Sequence, residues 1–369
     1  MKKVVAVIGT RADGIKMCPV IAEILAREDI ELKVCSTGQH GELLDEVLKS
    51  FGIEPHYDLG IMKKDQDLFD VTLSALSGMK QILSAEMPDC VLVHGDTTSS
   101  FCAALAAFYL HIPVYHVEAG LRTGDMTSPF PEEFNRRAIA LMAEAHFAPT
   151  DRAMENLISE NIPEENIFVT GNTVVDAMRT VRTDMPSRPL EYADNGWERV
   201  VLMTVHRREN CQGALEEIFS AVNQIVCEFP DVLFIYPVHP NPILRSEAER
   251  ILGGCDRVVL CEPLGVVEFH DLIRRCYMVL TDSGGVQEEA TAMGKPVLVA
   301  RNTTERTEGI RSGNIRLVGV SRETVYRGVR ELLVNPALHY AMSNGKNPYG
   351  DGKAAKRICN IVDKKLNIG

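Results

Sequence analysis

The sequence predicts an α/β protein with two parallel sheets flanked by helices, and three observations carry that expectation. Short runs rich in Val, Ile and Leu alternate with helix-length amphipathic segments from one end to the other. The runs are continuously apolar, the pattern of strands covered on both faces. The length, 369 residues, corresponds to two domains at roughly 100–200 residues each.

Taken in order, the strands expected in the first half are Val4–Ile8, Leu32–Ser36, Cys90–Val93, Val114–Val117, His146–Ala148 and Ile167–Val169. Those of the second half are Val200–Thr204, Leu233–Tyr236, Val258–Leu260, Met278–Thr281, Val297–Val299 and Leu317–Val318. The boundary is placed after Gly171, giving domains 1–171 and 172–352. There a helix-like Val174–Arg182 runs into the breakers Pro186, Pro189, Asn195 and Gly196. The glycine-rich turn before Lys353 starts a last helix, 353–369, expected to join the first domain.

Composition narrows the function. Hydrophobic residues make up 45% of the chain and charged residues 24%, which excludes disordered and fibrous classes. Acids outnumber Lys and Arg by 51 to 39 and no basic run occurs, so neither nucleic acid nor an anionic membrane is an expected partner. The apolar run after Met1-Lys2-Lys3 stops at Gly9-Thr10-Arg11 and reads as a strand, not a signal peptide. The longest apolar stretch, near Phe101–Leu110, is far short of the ~20 residues of a membrane span. Ten cysteines without a C-x-x-C pair suggest reduced, core-filling thiols and a cytoplasmic protein.

Ligands of open α/β sheets bind beyond the carboxyl ends of strands. The first strand ends in Gly9-Thr10-Arg11, with Gly14 and Lys16 following; it imitates a P-loop but lacks the Gly-Lys-Ser/Thr ending. Arg11 and Lys16 at a helix start suit a phosphate. Asp96, Glu118 and Glu132 lie at strand ends or helix starts on one expected rim, where neighbouring carboxylates raise one another's pKa and divide into proton donor and acceptor. Taken singly, each reads more readily as a helix cap or a partner of Arg122 or Arg136. In the second half His206, beside Arg207 and Arg208, suits proton donation to a departing phosphate. Ser283-Gly284-Gly285 before a helix suits a diphosphate, and Glu289 one turn on suits ribose hydroxyls. Neither HExxH nor a clustered carboxylate motif occurs, so no metal is expected.

These segments occur in a telling order: Gly9-Thr10-Arg11 with Ile15-Lys16, Thr37-Gly38-Gln39-His40, His94-Gly95-Asp96-Thr97-Thr98, His116-Val117-Glu118-Ala119-Gly120-Leu121-Arg122-Thr123-Gly124, Pro131-Glu132-Glu133, His206-Arg207-Arg208-Glu209, Tyr236-Pro237-Val238-His239, Asp282-Ser283-Gly284-Gly285, Thr303-Thr304-Glu305-Arg306 and Asn347-Pro348-Tyr349-Gly350-Asp351-Gly352. The whole chain resembles the non-hydrolysing UDP-N-acetylglucosamine 2-epimerase family. The resemblance implies a GT-B fold, two Rossmann-like domains facing a central cleft that closes on a UDP-sugar, and a homodimer. It implies C2 epimerisation without metal or nicotinamide, by elimination of UDP to 2-acetamidoglucal and re-addition. By position it implies Asp96, Glu118 and Glu132 as catalytic carboxylates, with His206 assisting the leaving phosphate. It places Arg11, His206, Ser283, Gly284 and Gly285 on the diphosphate, Glu289 on the ribose, Phe269 at the uracil and Arg306 beside the sugar.

Some positions depart from the family pattern. Tyr115 and Val205 replace small residues near Glu118 and His206; they could alter pocket volume, which leaves an epimerase for a modified UDP-sugar as an alternative. An activating second UDP-N-acetylglucosamine in bacterial relatives uses positions matching Gln39, His40, Glu42, Arg207 and His239. Here Gly41 replaces an arginine and Glu42 a glutamine of some members; a carboxylate there repels a nucleotide phosphate, so weakened activation is expected. The rival activities are a hydrolysing epimerase releasing N-acetylmannosamine, a glycosyltransferase, for which no acceptor-binding insertion is visible, and a non-enzymatic sensor, which would be expected to lose some of the carboxylates retained here.

Overall fold

The computed structural model describes residues 1–63, 66–180, 191, 196–206, 213–304 and 306–368. Among these the chain forms two compact units, Met1–Val181 with Tyr349–Gly369 and Arg182–Pro348.

In the first unit β1 (Lys2–Ile8), α1 (Arg11–Leu25), β2 (Ile30–Ser36), α2 (Glu42–Ser50), β3 (Tyr57–Asp58), α3 (Leu68–Glu86), β4 (Cys90–His94), α4 (Thr98–Tyr109), β5 (Val114–Val117), α5 (Glu132–Met142), β6 (Ala143–Ala148), α6 (Asp151–Ser159), β7 (Ile167–Val169) and α7 (Thr173–Thr180) follow one another. The strands make one parallel sheet in the order β3-β2-β1-β4-β5-β6-β7. Its order reverses between β1 and β4, the place where such sheets open a crevice for ligands. Val5, Val7, Val91 and Val93 pack on Ala103, Ala106 and Ala107, whose small side chains seat α4 on the sheet.

In the second unit the elements are β8 (Arg199–Thr204), α8 (Ala214–Glu228), β9 (Val232–Pro237), α9 (Pro242–Leu252), β10 (Val258–Cys261), α10 (Val266–Arg275), β11 (Met278–Thr281), α11 (Gly284–Ala292), β12 (Val297–Val299), α12 (Thr307–Arg311), β13 (Ile315–Leu317), α13 (Arg322–Val334) and α14 (Pro336–Ser343). They surround a parallel sheet ordered β10-β9-β8-β11-β12-β13, reversing between β8 and β11. Val201, Met203, Ile218, Val222, Phe234 and Leu280 fill its core.

The expectation of two parallel sheets is met, with differences in detail. The two-residue β3 has too few side chains to make a pattern. The last strand lies at Ile315–Leu317, two residues before its expected start; Arg316 pairs with Glu331 on this edge and interrupts the apolar run. Helix α7 lies in the first unit, not at the head of the second: Val174, Val175, Ala177 and Met178 are buried there. It also caps the last helix, α15 (Ala354–Ile368), because the carboxylate of Asp176 accepts from Ala354 N (3.2 Å) and Ala355 N (3.0 Å). The expected linker breakers Pro186, Pro189 and Asn195 lie outside the described residues.

Gly120, after β5, has φ +89, and a Cβ there would sit 2.2 Å from the Ala153 carbonyl oxygen. Gly124 has φ +84 with open space around it. Gly120→Ala is therefore expected to destabilise the first unit by about 2–4 kcal/mol and Gly124→Ala by only ~1 kcal/mol. Thermal unfolding followed by circular dichroism checks the order; equal losses would contradict it.

Candidate active site

The first unit gathers its chemistry around the β1–β4 reversal. Thr10 caps α1 by accepting from Asp13 N, and the Asp13 carboxylate accepts from Thr10 N (3.1 Å), Gly9 N (3.3 Å) and Thr97 Oγ1 (3.1 Å). Its other oxygen faces His94 Nδ1 at 3.5 Å, and His94 Nε2 lies 3.8 Å from Glu118 Oε2. Glu118 is further held by the Lys16 ammonium and by Asn172 Nδ2 (2.9 Å). Both Lys16 and Glu118 side chains are only 8% exposed, so the cation expected to serve a phosphate is committed to the carboxylate cluster. Glu118 also has φ +61, a left-handed backbone that costs a non-glycine residue roughly 1–3 kcal/mol and that such sites retain when surrounding contacts fix it.

Asp96 follows β4 through Gly95, whose φ is +60. Its carboxylate pairs with Arg136 from α5, and its carbonyl accepts from Asn135 Nδ2 at 2.9 Å. Burial raises its pKa above the ordinary carboxylate range; the Arg136 guanidinium opposes that, while Glu118 and Asp13 add to it. Glu132 is the first residue of α5, half-buried, entered through cis Ser128–Pro129 and Phe130–Pro131 peptides. Its neighbour Glu133 is fully buried and has a different task, accepting from Thr123 N (3.1 Å), Gly124 N (3.3 Å) and Arg137 Nε (3.1 Å). Arg122 pairs with Glu160.

Arg11 donates its backbone N–H to His40 Nδ1 at 3.4 Å. Gln39 accepts from Ser99 Oγ at 2.7 Å, while His40 and Glu42 are exposed. Gly41 between them has φ +45 and ψ −125, a turn that an arginine disfavours.

The second unit places its groups around the β8–β11 reversal. The fully buried Asp282 accepts from His206 N at 3.0 and 3.1 Å and faces its Nδ1 at 3.4 Å. The His206 ring stacks on His239, with centroids 5.6 Å apart. Ser283 precedes α11 without capping it by its side chain, so the amides of Gly284, Gly285 and Val286 begin a helix with no acid in its first turn. Glu289 is largely buried and lies 3.5 Å from His270 Nε2. Phe269, on α10, is 9% exposed. Arg306 donates Nε to the buried Glu288 at 3.1 Å, and Thr304 donates to Gln287 at 2.9 Å. Arg207 lies outside the described residues.

Tyr115 is 4% exposed and packs edge-on against Phe147, and Val205 is 1% exposed within the second core, so both are core residues. Sequence reading missed Asp13, Asn172, Asp282 and Glu288, whose role is to hold other site residues, and gave His94 no role although it precedes Gly95-Asp96. Among the described residues no group of three or more His, Cys, Asp or Glu could hold a metal ion, and no helix is long and apolar enough to cross a membrane.

Comparison with known proteins identifies the family. Residues 22–363 match the family profile described as UDP-N-acetylglucosamine 2-epimerase. The chain is 48% identical to the UDP-N-acetylglucosamine 2-epimerase of Bacillus subtilis over 96% of its length and 93% of that protein's. It is 46% identical to that of Escherichia coli K12, over 96% and 97%. Among solved structures, the S. aureus MnaA–UDP co-structure superposes with a TM-score of 0.94 at 44% identity, covering 100% of this chain and 98% of that one. The Neisseria meningitidis UDP-GlcNAc 2-epimerase bound to UDP-GlcNAc gives 0.90 at 41%, covering 98% and 100%. With a family profile spanning most of the chain and relatives near half identical over nearly all of it, the chain belongs to the UDP-N-acetylglucosamine 2-epimerase family.

Proposed function

We propose that this chain interconverts UDP-N-acetylglucosamine and UDP-N-acetylmannosamine without releasing free sugar. The observation that carries the reading is the pair Asp96 and Glu118 on adjacent strand ends, two carboxylates given different surroundings. One is raised by burial and the other is clamped by Lys16 and Asn172. Such a division suits proton removal and proton delivery at one carbon.

In the forward direction a carboxylate takes the C2 proton, the C1–O bond breaks with its electron pair going to UDP, and 2-acetamidoglucal forms. A carboxylic acid then protonates C2 from the opposite face while a UDP oxygen attacks C1. Asp96, Glu118 and Glu132 supply the acid and base groups. The C2 hydrogen is weakly acidic, so stabilising the departing diphosphate is the larger task. Arg11, His206 and the Ser283–Gly285 helix start take it, with His206 oriented by Asp282. Glu289 holds the ribose, Phe269 the uracil, and Arg306, braced by Glu288, the sugar side. The active form is a homodimer in the cytoplasm.

Incubation with UDP-N-acetylglucosamine in deuterated water, followed by proton NMR, is expected to give UDP-N-acetylmannosamine with deuterium at C2. Asp96→Asn should bind UDP normally and lose about 100-fold or more in rate. Free N-acetylmannosamine from the wild type would overturn the non-hydrolysing assignment, and a fully active Asp96→Asn the role of Asp96.

The acidic limb of kcat/KM is expected above the ordinary carboxylate range, because Asp96 must be ionised to accept a proton and burial raises its pKa. Arg136 is the cation that opposes the rise, so Arg136→Gln should move the limb to higher pH. A limb that stays in place would assign it to another group.

The exposed Glu42 and the Gly41 turn leave the segment corresponding to the activator site acidic and without its arginine. Saturation by UDP-N-acetylglucosamine should accordingly be close to hyperbolic; a strongly sigmoidal curve would show activation retained.

A further inference from the structure

Beneath the turn that carries Asp96 lies a histidine with no part in the steps above. His116, in the middle of β5, is wholly buried, and its Nε2 lies 2.7 Å from the Gly95 carbonyl oxygen. A carbonyl only accepts, so Nε2 carries the hydrogen and Nδ1 the lone pair. Burial pushes the ring's pKa down to about 3, leaving it neutral at working pH. The neighbour across the strand pair is His146 on β6, equally buried and lowered to about 4 chiefly by burial.

The consequence concerns the Gly95–Asp96 peptide. Gly95 N–H donates to the Val117 carbonyl at 2.9 Å while Gly95 C=O accepts from His116, so β5 holds both polar groups of the residue before Asp96. Gly95 sits at φ +60, where glycine's freedom also permits other peptide orientations. Without the ring donor its buried carbonyl is left unsatisfied, and the peptide gains a reason to turn over. A lysine could make the same bond, but its charge under Asp96 would favour the ionised carboxylate and counter the raised pKa. A neutral donor secures the turn without that effect.

We propose that His116 is a positioning residue for Asp96: its Nε2–H anchors the Gly95 carbonyl and thereby fixes the Gly95–Asp96 peptide that aims the carboxylate. The assignment rests on Asp96 being an acid/base group. It sets His116 apart from a core residue whose only task is stability, because the loss should appear in turnover and not in nucleotide binding, to which the proposed function assigns neither His116 nor Asp96.

The test pairs His116→Gln, which keeps a terminal N–H donor, with His116→Met, of similar length and without one. Purified full-length variants are compared for UDP affinity by calorimetry, melting temperature, and kcat and KM for UDP-N-acetylglucosamine. His116→Met is expected to lose roughly tenfold or more in kcat, with KM and UDP affinity within about twofold of wild type, since small misplacements of a reacting group act on turnover. His116→Gln should recover most of that loss. Equal kcat in the two variants, whether both normal or both impaired, overturns the proposal. Asp96→Asn is assayed alongside: full activity there removes the reading of Asp96 and the proposal with it, whereas an inactive Asp96→Asn with equal His116 variants removes the proposal alone.

Discussion

The carboxylate of Asp13 is the contact on which the first unit's site depends. It is buried at the turn leaving β1, and its Oδ2 accepts from two amides of that turn and from Thr97 at the turn leaving β4. The same group faces His94, whose other nitrogen faces Glu118 at the end of β5. Three adjacent strand ends are thereby tied through one acid that touches no reacting atom in the proposed chemistry. A capping box would have been satisfied by any helix; here the N3 acid also spans to the next loop, so local helix termination and site assembly are one interaction.

Charge within the cluster is arranged in pairs. Lys16 stands against Glu118 and Arg136 against Asp96, both cations largely shielded from water. Buried ion pairs add little net stability because desolvation offsets attraction. Their retention here fits a site that must hold carboxylates at different proton affinities at separations too short for bulk water to screen. The net acidity of the chain, −12, therefore says nothing about this region. Local cations and amides set its potential.

Legibility in the sequence followed physical range. Strands buried on both faces announced themselves as apolar runs, and the polar residues after them marked the carboxyl ends beyond which ligands bind, while the strand order and its two reversals came from the structure. Edge elements did not: β3 has two residues, and β13 carries Arg316 to an edge partner. Candidate residues at strand ends, Asp96, Glu118 and His206, were legible because the topology makes strand ends special. Their holders were not. Asp13, Asn172 and Asp282 become recognisable only when distant turns meet, since each contact spans tens of residues or is made by a group that reads as an ordinary cap.

The helix starts show how two units of one architecture can serve different ends. Thr10, Thr97, Thr150 and Ser321 each turn a hydroxyl back onto an amide of the helix they begin, filling donors that would otherwise face water. Ser283 has the same hydroxyl and does not use it so, and α11 carries no acid in its first turn. Its backbone instead donates to Thr281 Oγ1 at 3.0 Å, continuing the bracing of β8 and β11 in which Thr204 and Thr281 hydroxyls meet at 2.6 Å. The Ser283 side chain thus leaves the head of α11 uncapped while the strand ends beneath are fixed. An anion suits that position, because the helix dipole favours it there and no protein carboxylate competes in the first turn. In the first unit the corresponding turn after β4 is capped by Thr97 and carries Asp96, as the turn after β11 carries Asp282.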